Sequence, residues 1–229
     1  DTTIDADQTI ILQGTASSSY ETTETVSLTV GTESANFSIT TRAKDTTPTA
    51  FEFAPATEQE INTVIDSNTV TITGIDPETD IGIENGTYSL DGGETFTDTA
   101  ATINADQEVI VRLTTSSDYE SDATATLTVG TESQNFLATT RARDITPENL
   151  GAFVNVVDGN PSTEYTSNAI TVADVEGAID ISISDGATYA INNGDYVSTV
   201  GSVSNTDTVS VRLSTSSQFN DTNTATLTV

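Results

Sequence analysis

The sequence contains no cysteine, histidine, methionine or tryptophan, and only six of its 229 residues are lysine or arginine. Without cysteine there are no disulfide bonds, so each domain must rely on its own hydrophobic core or on bound ions. Without histidine or cysteine, the Ser-His and Cys-His nucleophile systems are excluded. A pair of carboxylates could still cleave glycosides, but among 35 acidic residues such pairs arise by chance. We therefore expect no enzymatic activity and no catalytic or cofactor-binding residues.

The charge balance is strongly acidic, with a net charge of −29. Nucleic acids and anionic membranes are bound through lysine and arginine, so we expect neither as a partner. The charge favours solubility and an extended array, at the cost of self-repulsion unless cations screen it. The same acidity is also typical of a protein surface from a salt-tolerant organism. No run of 18 apolar residues occurs, so we expect no insertion of this segment into a membrane.

One stretch returns almost unaltered and defines a repeat. Residues 40–48 (TTRAKDTTP) recur as 139–147 (TTRARDITP), which places Arg42 and Arg141 99 positions apart. Proline fixes its own φ and biases the preceding residue toward extended backbone, so each copy is typical of a joint between domains. About 100 residues suffice for an independent core. The predicted segments are the C-terminal half of a repeat (1–44), a complete repeat (45–144) and a repeat lacking its last strand (145–229).

Alternation of apolar residues with threonine predicts short β-strands, each with one buried face. In the complete repeat the predicted strands are 51–53, 68–75, 81–83, 109–113, 123–129 and 133–140. A hairpin is predicted over residues 88–96, because Asp-Gly and Gly-Gly tolerate the positive φ of its turn. No helical periodicity is present. The sequence thus predicts an all-β protein of tandem immunoglobulin-like β-sandwich domains.

Several aromatic residues recur at equivalent positions. Tyr20, Tyr119 and Phe219 occupy one position near a strand start, and we expect it to belong to the core in all three copies. Tyr88 and Tyr189 recur in the hairpin, where they either pack over the sandwich or stack on a bound sugar. The sequence leaves both roles open for this pair.

These motifs resemble a known family. The run Asp45-Thr46-Thr47-Pro48 followed by Phe51-x-Phe53, together with residues 62–68 (NTVIDSN), 88–93 (YSLDGG) and 111–114 (VRLT), is similar to the tandem Ig-like extender repeats of giant bacterial surface adhesins. Those adhesins are of the repeats-in-toxin and biofilm-associated type. The resemblance covers the whole chain. It implies export by a type I route, a location at the bacterial cell surface or outside the cell, further copies in the parent protein, and calcium near the joints.

Charged residues at the joints are the main candidates for a binding site. Four of the six basic residues lie there, namely Arg42, Lys44, Arg141 and Arg143. We expect each to bind carboxylates of the adjoining domain and to orient the joint more than stabilise it. The other two, Arg112 and Arg212, share one repeated strand position and are expected to anchor its outer face.

Recurring carboxylates are the calcium candidates, since calcium prefers six to eight oxygen ligands. They lie in the joints and in the predicted loop between the second and third strands. The candidates are Asp45, Asp76, Asp80, Asp144, Glu176 and Asp180. The sequence has no Asp-x-Asp-x-Asp-Gly loop, and basic residues flank each joint aspartate. The alternative is therefore that Asp45 caps a turn or pairs with arginine.

The function expected from the sequence is that of a non-catalytic structural segment. It would extend an extracellular bacterial adhesin or surface-fibre protein and space a terminal binding region away from the cell. Its partners would be the neighbouring repeats of the same chain. Two alternatives remain open: a subunit of an extracellular fibre that polymerises by strand exchange with other copies of itself, and a carbohydrate-binding module of a secreted protein.

Overall fold

The computed structural model describes residues 3–229, and every regular element within them is a β-strand. The chain divides into two compact units, Asp1–Arg141 and Ala142–Val229. The repeat boundaries at 44/45 and 144/145 remain predictions from the sequence, and residues 1 and 2 of the first predicted segment lie outside the described residues. Among residues 3–229, no helix is long and apolar enough to cross a membrane.

The first unit begins with an antiparallel hairpin of β1 (Thr23–Val30) and β2 (Glu33–Thr40). Nine further strands form the central repeat. They are β3 (Ala56–Gln59), β4 (Val64–Asp66), β5 (Val70–Thr71), β6 (Thr79–Glu84), β7 (Thr87–Ser89), β8 (Ala101–Ile103), β9 (Glu108–Thr114), β10 (Asp122–Val129) and β11 (Glu132–Thr140). One sheet has the order β3-β11-β10-β6-β8, and in the other β9 pairs with β4, β5 and β7. All pairs are antiparallel except β11 with β3.

The two sheets of the central repeat share one hydrophobic core. Alternation places Val109, Val111 and Leu113 of β9 in that core, with Ile110 and Arg112 less buried between them. Phe136 of β11, in the other sheet, belongs to the same core. A protein whose strands bury one face in this way is a β-sandwich, so the all-β sandwich fold expected from the sequence is confirmed.

Two predicted strands differ from the structure. Residues 51–53 form no strand, although Phe51 and Phe53 are buried in the core. The backbone just beyond them is held by a side chain, because the Ala54 amide donates to Asn68 Oδ1 at 2.8 Å. The strand predicted over 68–75 is limited to Val70–Thr71, since Ile72 bonds through its amide and carbonyl to the loop at residues 106–107. Local alternation did not reveal these bonds to residues distant in the sequence.

The second unit repeats most of the arrangement of the central repeat, without strands equivalent to β3 and β11 among its described residues. Its strands are β12 (Glu164–Thr166), β13 (Ile170–Thr171), β14 (Ile179–Ile183), β15 (Ala187–Ile191), β16 (Gly201–Val203), β17 (Thr208–Ser214) and β18 (Leu227–Thr228). β17 pairs with β12, β13 and β15, and β14 pairs with β16 and β18. Ile181, Tyr189 and Val209 are fully buried at its centre.

Candidate functional site

The segment at residues 41–50 joins the hairpin β1–β2 to the central repeat and contains no strand. We call it the joint segment. It passes over a turn at Gly74, where the Thr49 amide donates to the Thr73 carbonyl at 2.8 Å. A Cβ on Gly74 would lie 2.7 Å from Thr49 Oγ1, and the φ of Gly74 is +83°. Glycine is therefore required at this turn for both its positive φ and the close approach of the joint segment.

A second glycine turn, between β10 and β11, contacts the start of the joint segment. The Thr131 amide donates to the Thr46 carbonyl at 3.3 Å, and the hydroxyls of Thr47 and Thr131 lie 3.1 Å apart. A Cβ on Gly130 would overlap the carbonyl oxygen of Thr46. The joint segment thus packs against two turns of the central repeat and is bonded to them through backbone groups.

The main side-chain contact at the joint is between Arg42 and Asp76, which lies in the loop between β5 and β6. Arg42 Nη1 lies 2.6 Å from Asp76 Oδ2, and Arg42 Nη2 lies 2.6 Å from Asp76 Oδ1. This is the parallel, two-bond pairing in which the planar guanidinium matches a carboxylate. An arginine that follows the hairpin therefore binds a carboxylate of the central repeat, as the sequence led us to expect.

Backbone groups complete the coordination of Asp76. The Asp45 amide donates to Asp76 Oδ2 at 2.7 Å, and the Asp76 amide donates to the Asp45 carbonyl at 2.8 Å. The guanidinium of Arg42, and then the Asp45 amide, hold the pKa of the Asp76 carboxyl far below its ordinary value. Asp76 is therefore ionised over the physiological pH range.

Tyr20 lies beneath the guanidinium of Arg42. The Arg42 Cζ is 5.3 Å from the centre of the Tyr20 ring, a distance at which a cation is attracted to an aromatic face. Partial burial raises the pKa of the Tyr20 phenol, and the neighbouring negative charge of Asp76 raises it further. The expectation that this position belongs to the core in every copy is wrong: Tyr20 is 39% exposed and Phe219 is 84% exposed. The tyrosine supports the arginine instead of filling the sandwich.

The contact of arginine with tyrosine recurs ninety-nine residues later within the first unit, where the carboxylate partner is Glu60 of the same repeat. Arg141 Cζ lies 5.4 Å from the centre of the Tyr119 ring, and Arg141 Nε lies 2.8 Å from Glu60 Oε1. The backbone repeats as well, because Glu21 and Glu120 donate their amides to the carbonyls of Arg42 and Arg141. The pairing of a tyrosine with the joint arginine is therefore a property of the repeat.

The second unit repeats the backbone part of the joint. The Asp144 amide donates to Glu176 Oε2 at 2.8 Å, and the Glu176 amide donates to the Asp144 carbonyl at 2.8 Å. Arg143 Nη2 donates to the Ala178 carbonyl at 3.2 Å, as Lys44 Nζ donates to the Glu78 carbonyl at 2.7 Å. For these two basic residues the structure places a carbonyl, not the expected carboxylate, at the end of the side chain.

Four of the six calcium candidates form two pairs. Asp45 lies with Asp76, and Asp144 lies with Glu176, as described above. The remaining two, Asp80 and Asp180, lie in β6 and β14 and not in the predicted loop, because that loop ends where each strand begins to pair. Both are exposed.

The joint aspartates use their carboxylates in local turns. Asp45 Oδ1 accepts the Thr47 amide at 3.0 Å, and Asp144 Oδ1 accepts the Thr146 amide at 3.0 Å. Within residues 3–229, no group of three or more acidic side chains is arranged to hold a metal ion. Calcium binding stays a prediction of the family resemblance.

The other two arginines lie at one repeated strand position, on the less buried side of β9 and β17. Arg112 binds Asp66 through two bonds of 2.6 and 2.9 Å, and its Cζ is 3.6 Å from the centre of the Phe96 ring. Arg212 lies 3.2 Å from Glu164 and 3.7 Å from the centre of the Tyr196 ring. These contacts fit the expected role of an anchor on the outer face.

The two hairpin tyrosines are part of the core. Tyr88 and Tyr189 are fully buried, and their hydroxyls donate to the carbonyls of Thr99 and Thr199 at 2.9 Å. A buried ring has no free face, so neither tyrosine can stack on a sugar. The carbohydrate-binding alternative thereby loses the aromatic pair on which it depended.

Sequence reasoning missed the roles of Tyr20, Tyr119 and Glu60 at the joint arginines. A signal was present for the tyrosines, because they recur at the same 99-residue interval as Arg42 and Arg141. No such signal marked Glu60, whose partner is 81 residues away in the sequence.

Comparison with known proteins shows a likeness to solved structures and no match to a protein family. No family model matches the sequence, and no curated protein gives a significant match. Solved structures of the S-layer protein SbsC are similar at low identity. Its domains 4 and 5 share 15% identity with a TM-score of 0.26, over 53% of this chain and 59% of that one. Its domains 1–6 share 15% identity with a TM-score of 0.27, over 85% of this chain and 25% of that one. The chain thus spans less than two thirds of either structure, and values this low indicate no function.

Proposed function

We propose that this chain is a non-catalytic structural segment of an extracellular bacterial adhesin or surface-fibre protein. Successive β-sandwich repeats would space a terminal binding region away from the cell. The observation that carries the proposal is the joint itself: Arg42, which follows one hairpin, is bound at both nitrogens to Asp76 of the next repeat. A spacer needs a defined relation between neighbouring repeats, and this contact supplies one.

The composition of the chain supports this function in two further ways. The acidic surface keeps repeats from associating with one another and with anionic cell surfaces. Basic residues are concentrated at the joints and at the Arg112 position, and four of them pair with carboxylates of the same chain. Contacts of this kind are the use of positive charge expected in a spacer.

The test is to display this segment on bacteria between a membrane anchor and a fluorescent tag. Each added copy of residues 45–144 should increase the distance from tag to membrane by a constant amount, measured by super-resolution microscopy. The matched control inserts a Gly/Ser linker of equal length, whose end-to-end distance grows only with the square root of its length. A tag distance that does not grow with copy number, or glycan binding by the purified segment on an array, would contradict the proposal.

A further inference from the structure

The joint brings negative charge together in a chain that already carries a net charge of −29. The carboxylate of Asp76 lies against the backbone of Asp45, whose own carboxylate is part of the adjoining turn. Like charges repel, so a cation beside Asp76 favours holding this loop against the joint segment. The family resemblance implies that calcium supplies this charge. The contacts of Asp76 allow that implication to be tested.

These residues do not fit a calcium ion. Calcium requires six to eight oxygen atoms around it, yet both oxygens of Asp76 receive N–H donors, from Arg42 and from Asp45. Asp45 Oδ1 is likewise occupied by the Thr47 amide. No third acidic side chain among residues 3–229 joins these two in a group. An ion at this position would have to displace several donors that point at the carboxylates.

The guanidinium of Arg42 is in contrast fixed on three sides. Asp76 binds its two terminal nitrogens, the Ala43 carbonyl accepts from Nη1 at 3.0 Å, and the Tyr20 ring lies below it. The side chain is 64% exposed, so its position depends on these contacts and not on burial. A planar cation held in this way is directional, because it fits the carboxylate in one orientation only.

We propose that Arg42 is the resident cation of the joint, in the place where the family resemblance implies calcium. The orientation of the hairpin β1–β2 against the central repeat is then set by Tyr20, Arg42 and Asp76, and is independent of divalent ions. This inference concerns the joint alone and holds whether or not the segment acts as a spacer.

The absence of cysteine allows a direct test in the full chain. Exposed positions of the hairpin and of the central repeat, Glu24 and Thr102, are changed to cysteine (E24C and T102C) and carry spin labels, and the distance between the labels is measured by pulsed electron paramagnetic resonance. We expect one narrow distance distribution in excess calcium and the same distribution in excess chelator. Broadening of this distribution in chelator, with Arg42 and Asp76 unchanged, would by itself overturn the inference.

Two variants test the arginine itself. Arg42→Gln removes the charge and the paired bonds, and should broaden the distribution in both conditions. Arg112→Gln is the matched control, because Arg112 has the same kind of carboxylate and aromatic partners away from the joint. It should leave the distribution narrow. Circular dichroism shows whether each variant is folded, and Asp76→Asn provides a second way to break the pair with little change in shape. A narrow distribution in both Arg42→Gln and Asp76→Asn would overturn the inference.

Calcium added to Arg42→Gln provides a final comparison. Removing the guanidinium frees both oxygens of Asp76 next to Asp45. If calcium narrows the distribution in this variant but has no effect on the wild type, the ion and the arginine compete for one position, which supports the inference.

Discussion

The carboxylate of Asp76 accepts hydrogen bonds from both terminal nitrogens of Arg42, each at 2.6 Å. These bonds cross the boundary that the sequence places between one repeat and the next. The two residues are 34 positions apart, and the loop that carries Asp76 is held to the joint segment by reciprocal backbone bonds with Asp45. The joint thus combines reciprocal backbone hydrogen bonds with a directional ion pair. Its properties lead to the first of four predictions.

The joint should persist in mild acid. The folded pKa of Asp76 is depressed, so its contribution to stability is present above the unfolded carboxyl pKa, about 3.9, and is lost as the pH falls through the folded value. The Arg42 guanidinium, the Tyr20 phenol and the Asp45 backbone amide face this group, and all three keep their protons throughout acid pH. We expect the NMR shift of the Asp45 amide, which donates to Asp76, to stay constant from pH 7 down to about pH 4. Titration of that shift near pH 5, absent in Asp76→Asn, would contradict the depressed pKa.

Equivalent phenylalanines in the two copies of the hairpin should differ in their contribution to stability. Phe136 is buried and packs edge-on to Phe53 at 6.4 Å between ring centres, so Phe136→Ala should cost about 3–5 kcal/mol. Phe37→Ala, at the same position of β2, should cost about 1 kcal/mol or less, because that ring is already half exposed. Native-state hydrogen exchange of the β10 and β1 amides measures each loss. Equal losses would show that Phe37 is covered in solution.

Glycines at two equivalent turns should also differ. Gly31 and Gly130 both have positive φ, so alanine at either costs about 1–2 kcal/mol for the left-handed backbone. Only at Gly130 would the added Cβ also overlap the Thr46 carbonyl, whereas nothing lies within 4 Å of it at Gly31. Gly130→Ala should therefore destabilise the first unit by more than Gly31→Ala and disrupt the amide signals of residues 46–47. An equal effect of both changes in urea unfolding would mean that the joint segment does not rest on this turn.

A serine hydroxyl completes the sheet between β4 and β5. The Val111 amide donates to Ser67 Oγ at 2.9 Å, and the Ser67 amide donates back to the Val111 carbonyl at 2.8 Å. Ser67→Ala leaves the amide of a buried residue without its acceptor, which should cost about 1–3 kcal/mol. Ser133→Ala, which removes an exposed hydroxyl, is the control and should cost no more than about 0.5 kcal/mol. Urea unfolding compares the two, and similar midpoints for both would contradict this role of Ser67.

The sequence predicted the strands well where one face is buried along the whole strand. The hairpin of β10 and β11, with its turn at Gly130-Thr131, agrees with prediction to within a residue or two because alternation and glycine are both local signals. Prediction failed at residues 51–53 and 68–75, where the backbone bonds to a side chain or a loop distant in the sequence. The alternation of apolar and polar residues indicates which side chains are buried. It does not indicate which groups the backbone amides and carbonyls bond to.

The candidate site was predictable in its composition but not in its contacts. The concentration of arginine and aspartate at the joints was visible from the 99-residue interval, and so was a choice between calcium and arginine as the partner of the aspartates. Nothing in the sequence indicated which partner Asp76 takes, or that Tyr20 supports Arg42 instead of lying in the core. Those relations depend on how a loop folds back on the joint segment, over a separation of 34 residues between Arg42 and Asp76.

The sequence by itself determined that this protein is all-β, repetitive, acidic and without the residues of nucleophilic triads. Each of these properties follows from composition or from local periodicity. The tertiary structure decided which residues are covered and which are paired. Phe37 and Phe136 have the same place in the same kind of strand, yet one is half exposed and the other is buried. The physical reason is that burial and ion pairing depend on the elements brought against a strand, and strand alternation does not specify those elements.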